Sequence, residues 1–429
     1  VKLGLKLNSR LLPLLTIALA GVQIAFPSPI WKALLVALGG AWLVAYLWAR
    51  SIQTGLRLQR EMRFGWTQVG DKLEERFTLS NSGYFPIPWV EVIDHSDLPG
   101  YRASLGTCLG MADTNTWRTR GTCTRRGVYT LGDALLRSGD PLGIYTVEIP
   151  QPETAVLIVM PPVVPLPTIQ VTPGGWLGEG RAIPNAVEKS ANSGTVREYL
   201  PGDALRLIHW PTTARLNEPY VRLLEGAPAG AWWIVLDFDQ RVQAGSEEDS
   251  TAEMGVILAA SLADRGLRAH KEVGFLASGE SAVWMRPQAG EARRWEILRA
   301  LATLNPGDVP LARLLEKAGP TLGRQASLIV ITSSTESDWL KPLTHLAWRG
   351  ITPTVILMDV ASFGAPRSAQ PLAGLLASMN IAHQVVTRDL LENPVLYPNL
   401  HGKREWRVTP TGRAIPINMP SNITWKRLG

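Results

Sequence analysis

Asp237 and Asp239 close the apolar run Trp232-Trp233-Ile234-Val235-Leu236, and of all residues in the chain they come closest to a chemical centre. A continuous apolar run ending in an acid is the pattern of a central parallel strand, and the ends of such strands form the usual rim for ligands. With Ser333 or Ser334 from a later strand end, the two carboxylates could supply oxygen ligands to Mg²⁺. The set is incomplete. Arg241 stands close by, where it can neutralise either acid and repel a cation. The chain also pairs no nucleophile with a base at a recognisable spacing. No cofactor is therefore expected, Mg²⁺ being the one weak candidate, and enzymatic activity is left open with the balance against it. The rim reads better as an acceptor for an arginine or lysine on a protein partner. The alternative is a metal-assisted hydrolase working through the same acidic rim.

A second concentration of chemistry runs from Val196 to Arg215. Arg197, Arg206 and Arg215 offer planar donor forks, and Glu198 and Asp203 offer carboxylates to pair with them. Tyr199, Leu205, Ile208 and Trp210 are interleaved with those charges, as a solvated charge run would not be, and Pro201-Gly202 marks a turn between them. Three readings stay open: a buried or interdomain charge network, recognition of a partner or anion, and catalysis. The first is preferred, with Leu205, Ile208 and Trp210 seating the segment on a neighbouring core. His209 reads as a packed, hydrogen-bonded side chain, and Thr212 or Thr213 as no nucleophile without a demonstrated base.

The elements that must position these residues differ on either side of that segment. From 228 to 390, apolar strands alternate with helical periodicity, which calls for a parallel sheet with helices on both faces. Neither a Gly-rich phosphate loop nor a dinucleotide fingerprint is present. From 57 to 165, period-two runs such as Lys72–Leu79 and Gly127–Leu131 with Gly/Pro turns suggest a small β-sandwich. The prolines in Pro86–Asp94 point to an edge strand there, and Asp140 in Asp140-Pro141-Leu142-Gly143 is placed to cap a turn. Between the two regions, 166–227 reads as a linker and polar joint, its Pro- and Gly-rich start as a traverse over the surface. The extension 391–429 offers no functional clue.

Residues 1–56 carry two apolar runs, Leu11–Phe26 and Ile30–Trp48, joined by Pro27-Ser28-Pro29. A transmembrane helical hairpin is expected. Lys2, Lys6 and Arg10 before it and Arg50, Arg57, Arg60 and Arg63 after it place both ends in the cytoplasm by the positive-inside rule. The expectation is thus a multi-pass protein of the inner (cytoplasmic) membrane, in contact with lipid, its folded bulk cytoplasmic and Cys108 and Cys123 reduced. A net charge of +6 spread over 429 residues, without a basic block, argues against nucleic-acid binding.

The word Arg197-Glu198-Tyr199-x-Pro201-Gly202-Asp203-x-x-Arg206-x-Ile208-x-Trp210, continuing to Ala214-Arg215, resembles that of a bacterial membrane-protein family known as domain of unknown function number 58. Arg126-Gly127-x-Tyr129 and Asp140-Pro141-Leu142-Gly143 match its upstream words. The resemblance implies a multi-domain chain: the hairpin, a β-sandwich-like domain, and an α/β domain similar to the von Willebrand factor A fold. It further implies an assembly or interaction scaffold working with a MoxR-type AAA+ ATPase. Two departures matter. Where the A-domain metal motif is Asp-x-Ser-x-Ser, this chain reads Asp237-Phe238-Asp239-Gln240-Arg241, and the later loop reads Thr332-Ser333-Ser334 without the aspartate often found there. Partner binding without obligate metal is therefore expected.

Overall fold

The computed structural model describes residues 4–166, 168–174, 196–199, 208–216, 218–222, 230–280, 282–323 and 326–392, with the short stretches 406–408, 414–416 and 426–427. The chain divides into two compact units, one formed by 1–160 with 401–429 and the other by 161–400.

In the first unit, strand β1 (Gly4–Leu7) precedes helices α1 (Leu11–Ala25) and α2 (Pro29–Gly55). Ser28 caps α2 by accepting the Ile30 amide, with Pro29 in the first turn. Eight strands follow: β2 (Leu56–Met62), β3 (Trp66–Gln68), β4 (Lys72–Asn81), β5 (Ile87–Asp94), β6 (Leu105–Leu109), β7 (Thr114–Thr122), β8 (Gly127–Gly139) and β9 (Tyr145–Met160). They form two sheets, ordered β1-β9-β8-β5-β6 with β3 beside β9, and β2-β4-β7 with the short strand Lys426–Arg427 beside β2. Leu58, Phe77 and Leu79 from one sheet and Val92, Leu136, Val147 and Leu157 from the other share one core, so the two sheets make a sandwich.

The strand read as an edge is an interior one. β5 pairs with β8 on one side and β6 on the other. Its register against β6 shifts between Ile87 and Val90, and Pro88 falls within that irregularity, where a missing amide donor breaks no regular ladder. Asp140 caps its turn as expected: Oδ2 accepts the Leu142 amide at 2.9 Å and Oδ1 the Tyr145 amide at 2.5 Å, and Gly143 adopts φ +68°.

An ion network lies inside this sandwich. On β2 and β4 the inward positions are Leu58, Arg60 and Met62 and Leu73, Glu75 and Phe77. Arg60 grips Glu75 through Nε at 2.9 Å and NH2 at 2.7 Å, and reaches Asp94 of the other sheet through NH1 at 2.7 Å. The Tyr101 hydroxyl donates to Glu75, and Arg60 stands 5.0 Å from the Phe77 ring centroid. Burial works against the Arg60 charge, but Glu75 and Asp94 outweigh it and hold its pKa above the ordinary arginine value.

The transmembrane hairpin, and with it the multi-pass inner-membrane localisation, is corrected here. Helix α1 has 15 residues, about 22 Å of helix against a hydrocarbon core of about 30 Å. Among the described residues only α2 is long and apolar enough to cross a membrane. The last turns of α2 are committed elsewhere: Ala45, Ala49 and Ile52 are buried in the sandwich core. Trp42 Nε1 donates to the Tyr145 hydroxyl at 2.7 Å, and Trp48 Nε1 to the Pro86 carbonyl at 2.8 Å. Gly55 abuts the Gly83 backbone so closely that a Cβ would lie 2.4 Å from its nitrogen. These contacts hold the carboxyl-terminal turns of α2 on the sandwich, while its most apolar 18-residue window is 6% buried.

The second unit begins with Pro161–Gly174, which lies on its own α/β domain. Val164, Leu166 and Ile169 are buried. Arg265 NH1 donates to the carbonyls of Leu166 at 3.0 Å and Ile169 at 2.7 Å, Ser261 Oγ accepts the Val164 amide, and Ser327 Oγ accepts the Gly174 amide. After β10 (Val196–Glu198), α3 (Trp210–Leu216) and β11 (Tyr220–Arg222) comes the main sheet. Its first strand β12 (Trp232–Leu236) is followed by a short hairpin, β13 (Gly245–Ser246) with β14 (Asp249–Ser250), and helix α4 (Thr251–Arg268). Ser250 caps α4 by accepting the Glu253 amide. Then come β15 (Val273–Ser278), β16 (Ala282–Gln288), α5 (Glu291–Thr303), α6 (Leu311–Ala318), β17 (Ser327–Thr332), α7 (Leu340–Trp348), β18 (Thr352–Met358), α8 (Gln370–Ser378) and β19 (Ala382–Val386). The order is β16-β15-β12-β17-β18-β19, parallel except for the edge strand β16. Trp233, Val235, Leu328, Val330, Val355 and Leu357 face α6, α7 and α8. On the opposite face α4 packs so tightly that a Cβ on Gly266 would lie 2.8 Å from the Trp232 ring.

Candidate functional site

From β12 the chain moves to β15 on one side, and the later strands begin with β17 on the other. The carboxyl ends of β12 and β17 therefore flank the point where strand order reverses, the general position for ligands in open α/β sheets. Asp237 and Asp239 follow β12; Ser333 and Ser334 follow β17. The Asp237 amide donates to the Ile331 carbonyl at 2.9 Å and ties the two ends together. The structure thus brings together the four residues singled out from the sequence.

All four are buried, with exposures of 1%, 3%, 1% and 4%. Asp237 Oδ2 accepts the Thr332 hydroxyl at 2.6 Å, and Oδ1 accepts the Asp239 amide at 3.3 Å. Burial pushes the Asp237 carboxyl up to about 6, only partly offset by these two bonds. Asp239 lies lower than an ordinary carboxyl because Arg241 bonds to it, Nε at 2.9 Å from Oδ1 and NH2 at 2.6 Å from Oδ2. The Arg241 amide adds a third bond to Oδ1 at 3.1 Å. Sequence reasoning overlooked Gln243. Its Nε2 donates to the Asp237 and Asp239 carbonyls at 3.2 and 3.3 Å, and its Oε1 accepts the Thr251 hydroxyl at 2.7 Å and that of Ser333 at 3.4 Å. Ser334 turns inward to the loop, its amide donating to Thr332 Oγ1 and its Oγ accepting the Glu336 amide.

These donors do not fit a divalent cation. A guanidinium holds both oxygens of one carboxylate, and the other carboxyl is buried, bonded by the Thr332 hydroxyl and pushed up to about 6. Among the described residues, no group of three or more His, Cys, Asp or Glu is placed to hold a metal ion. What reaches the surface is the Arg241 side chain, 61% exposed, with Gln240, Asp308 and Glu336 around it. Gln240 Nε2 donates to Asp308, and Arg367 lies 3.6 Å from Glu336. Asp308, Glu336 and Arg367 do not stand out in the sequence, because loops far from Arg241 along the chain supply them.

The polar joint is described in part. β10 pairs antiparallel with β11, placing Arg197 opposite Val221 and Glu198 opposite Tyr220. Glu198 is exposed and Tyr199 half-buried, its amide donating to the Pro219 carbonyl at 2.8 Å. Trp210, expected to seat the segment on a core, is 68% exposed, and Arg215 is exposed. His209 Nδ1 contacts Thr212 Oγ1 at 2.6 Å at the start of α3, and the His209 carbonyl accepts the Thr212 and Thr213 amides. This is the hydrogen-bonded histidine expected. Pro201, Gly202, Asp203, Leu205 and Arg206 lie outside the described residues.

Residues 195–368 match the family described as "Protein of unknown function DUF58". The matched segment contains both the polar joint and the rim. Over 173 residues the chain is 24% identical to Uncharacterized protein Mb1516 of Mycobacterium bovis and, equally, to Uncharacterized protein Rv1480 of Mycobacterium tuberculosis. Each alignment covers 39% of this chain and 54% of the relative, so the chain spans about half the length of the curated relatives it matches. Among solved structures, a von Willebrand factor type A protein from Catenulispora acidiphila is 13% identical, covering 39% of this chain and 41% of that one, with a TM-score of 0.28. The SpRpn10 VWA domain is likewise 13% identical, covering 39% and 96%, with a TM-score of 0.27. The likeness to A-type domains is distant and says nothing about activity.

Proposed function

We propose that the DUF58 segment is a protein-interaction module of an assembly scaffold, and that its contact surface is the rim where Arg241 emerges. The observation that carries this is the two-point bond between Arg241 and the buried Asp239. A guanidinium anchored in this way gives up little further freedom when a partner engages it. Asp237 and Asp239 support the contact from beneath. They are too buried to receive a partner's basic side chain directly. The partner on this reading is a MoxR-type AAA+ ATPase, a choice that rests on the motif resemblance alone. The joint residues Arg197, Glu198, Tyr199, Pro201, Gly202, Asp203, Arg206, Trp210 and Arg215 are assigned to structure or partner contact within the same module.

The test is capture of the purified ATPase on immobilised full-length chain, with and without chelator. Capture should survive chelation and fall by about tenfold or more in Arg241→Glu, the loss expected when a rim cation of a charged contact is reversed. Capture abolished by chelator, or indifferent to Arg241→Glu, overturns the reading.

A further inference from the structure

Helices α6 and α7 lie side by side on one face of the second unit's sheet, and their outer surfaces leave a cavity of about 460 Å³ between them. Its base is the buried Leu315 of α6 and Leu346 of α7, with Pro320 and Pro342 beside them. One wall is cationic. Lys341 and His345 of α7 and Arg349, the residue that ends it, recur every fourth residue and line the cavity, which at 1.5 Å per residue spaces them about 6 Å apart. Arg349 is held in place by donating from NH1 to the Gly319 carbonyl at 2.9 Å. The opposite wall carries a single acid, Glu316. At the end of the cationic row, Trp348 is 82% exposed, and its ring centroid is 6.2 Å from that of His345.

Helix dipoles account for basic residues near the end of α7. They do not account for a basic row along a hollow with a leucine floor, or for a tryptophan left in water beside it. We propose that this groove receives an acidic amphipathic helix of a protein partner. Carboxylates one turn apart would meet Lys341 and His345, an apolar residue between them would enter over Leu315 and Leu346, and Trp348 would cover the helix end. This is the helix-in-groove mode, with charge fixing register. Two cations and a histidine face one acid across the hollow, so the two orientations of a bound helix are not equivalent and one is selected. The groove is separate from the Arg241 rim, and either can fail without the other.

The test is selection from a charge-unbiased display library of helical peptides against the full-length chain. The enriched peptides should carry Asp or Glu one or two turns apart. Their affinity should fall by about tenfold or more in the double variant Lys341→Glu/His345→Glu, be retained in Lys341→Arg, and weaken in Trp348→Ala. Arg241→Glu should leave these affinities unchanged, which separates a failure here from a failure of the rim. The substituted positions are exposed, and circular dichroism of the double variant checks its fold. A basic or uncharged consensus, no enrichment, or peptides indifferent to the double variant overturns the proposal. So does binding of phosphatidylglycerol vesicles through the same residues in the absence of peptide binding.

Discussion

Asp237 carries a measurable cost as a residue buried close to a second acid. Its folded-state pKa near 6 lies above the ordinary aspartate value, so the folded protein holds the proton more tightly than the unfolded chain. Its favourable contribution is therefore fully present below about pH 4 and is lost as pH rises through about 6, on the order of 2–3 kcal/mol. Asp237→Asn keeps an acceptor oxygen for the Thr332 hydroxyl and carries no charge. The variant should be more stable than the parent at pH 7 by up to that amount, with the two converging near pH 4 in denaturant titrations. The same pH slope in both proteins would clear Asp237 of responsibility. The cysteines give a simpler contrast. Cys108 is exposed, while Cys123 is buried with its thiol pushed up to about 11, chiefly by burial and then by Asp71. Iodoacetamide should modify Cys108 in the native protein and Cys123 only on unfolding, as peptide mapping would reveal.

At the scale of elements, two contacts hold pieces together that sequence periodicity treats as separate. Arg60 joins both sheets of the sandwich by bonding to Glu75 and Asp94. Removing one member strands buried charge, so Arg60→Ala should cost ~3–5 kcal/mol, while an apolar replacement of all three should cost far less. Chemical denaturation of the two variants distinguishes them; equal losses would mean packing, not charge, is at stake. Arg265 does similar work for the segment 161–174. It donates to two carbonyls of that segment and stacks 5.6 Å from the Trp232 centroid. Hydrogen bonds from a charged donor are worth ~1.5–3 kcal/mol each. Arg265→Ala should therefore raise hydrogen exchange at 164–174 while the amides inside α4 stay protected. Unchanged protection of that segment would show that Val164, Leu166 and Ile169 hold it by burial alone.

For the whole molecule, the division at 160/161 and 400/401 means the two cores are built from different stretches of chain. Each encloses its own apolar cluster and should unfold as its own cooperative unit. Calorimetry of the full chain should resolve two transitions. Arg60→Ala should lower one of them and Asp237→Asn, at pH 7, raise the other. A single transition moved by both substitutions would contradict that division.

Much of the architecture was legible because it repeats. Five-residue apolar runs such as Trp232–Leu236, alternating with amphipathic stretches such as Thr251–Arg268, specify a parallel sheet with covered faces whatever its surroundings. The two-residue period of Lys72–Asn81 likewise specifies a half-buried strand. The acids after β12 and the serines after β17 were legible as one site for the same reason, since strand ends of a parallel sheet converge at one rim. Other features depend on which surface a side chain meets, and no local pattern encodes that. Glu75 has the period of a core residue but the chemistry of a surface one, and only Arg60 on the paired strand reconciles them. Pro88 suggested an edge strand, yet a register shift let it sit inside a sheet. The apolar run of α2 suggested lipid, yet its last turns face the sandwich. Asp239 and Arg241 were close enough in sequence to be suspected of pairing. Whether they would hold a metal or each other was decided by a loop that buries the carboxylate and leaves the guanidinium facing water, because desolvation makes an unpaired buried charge far costlier than an exposed one.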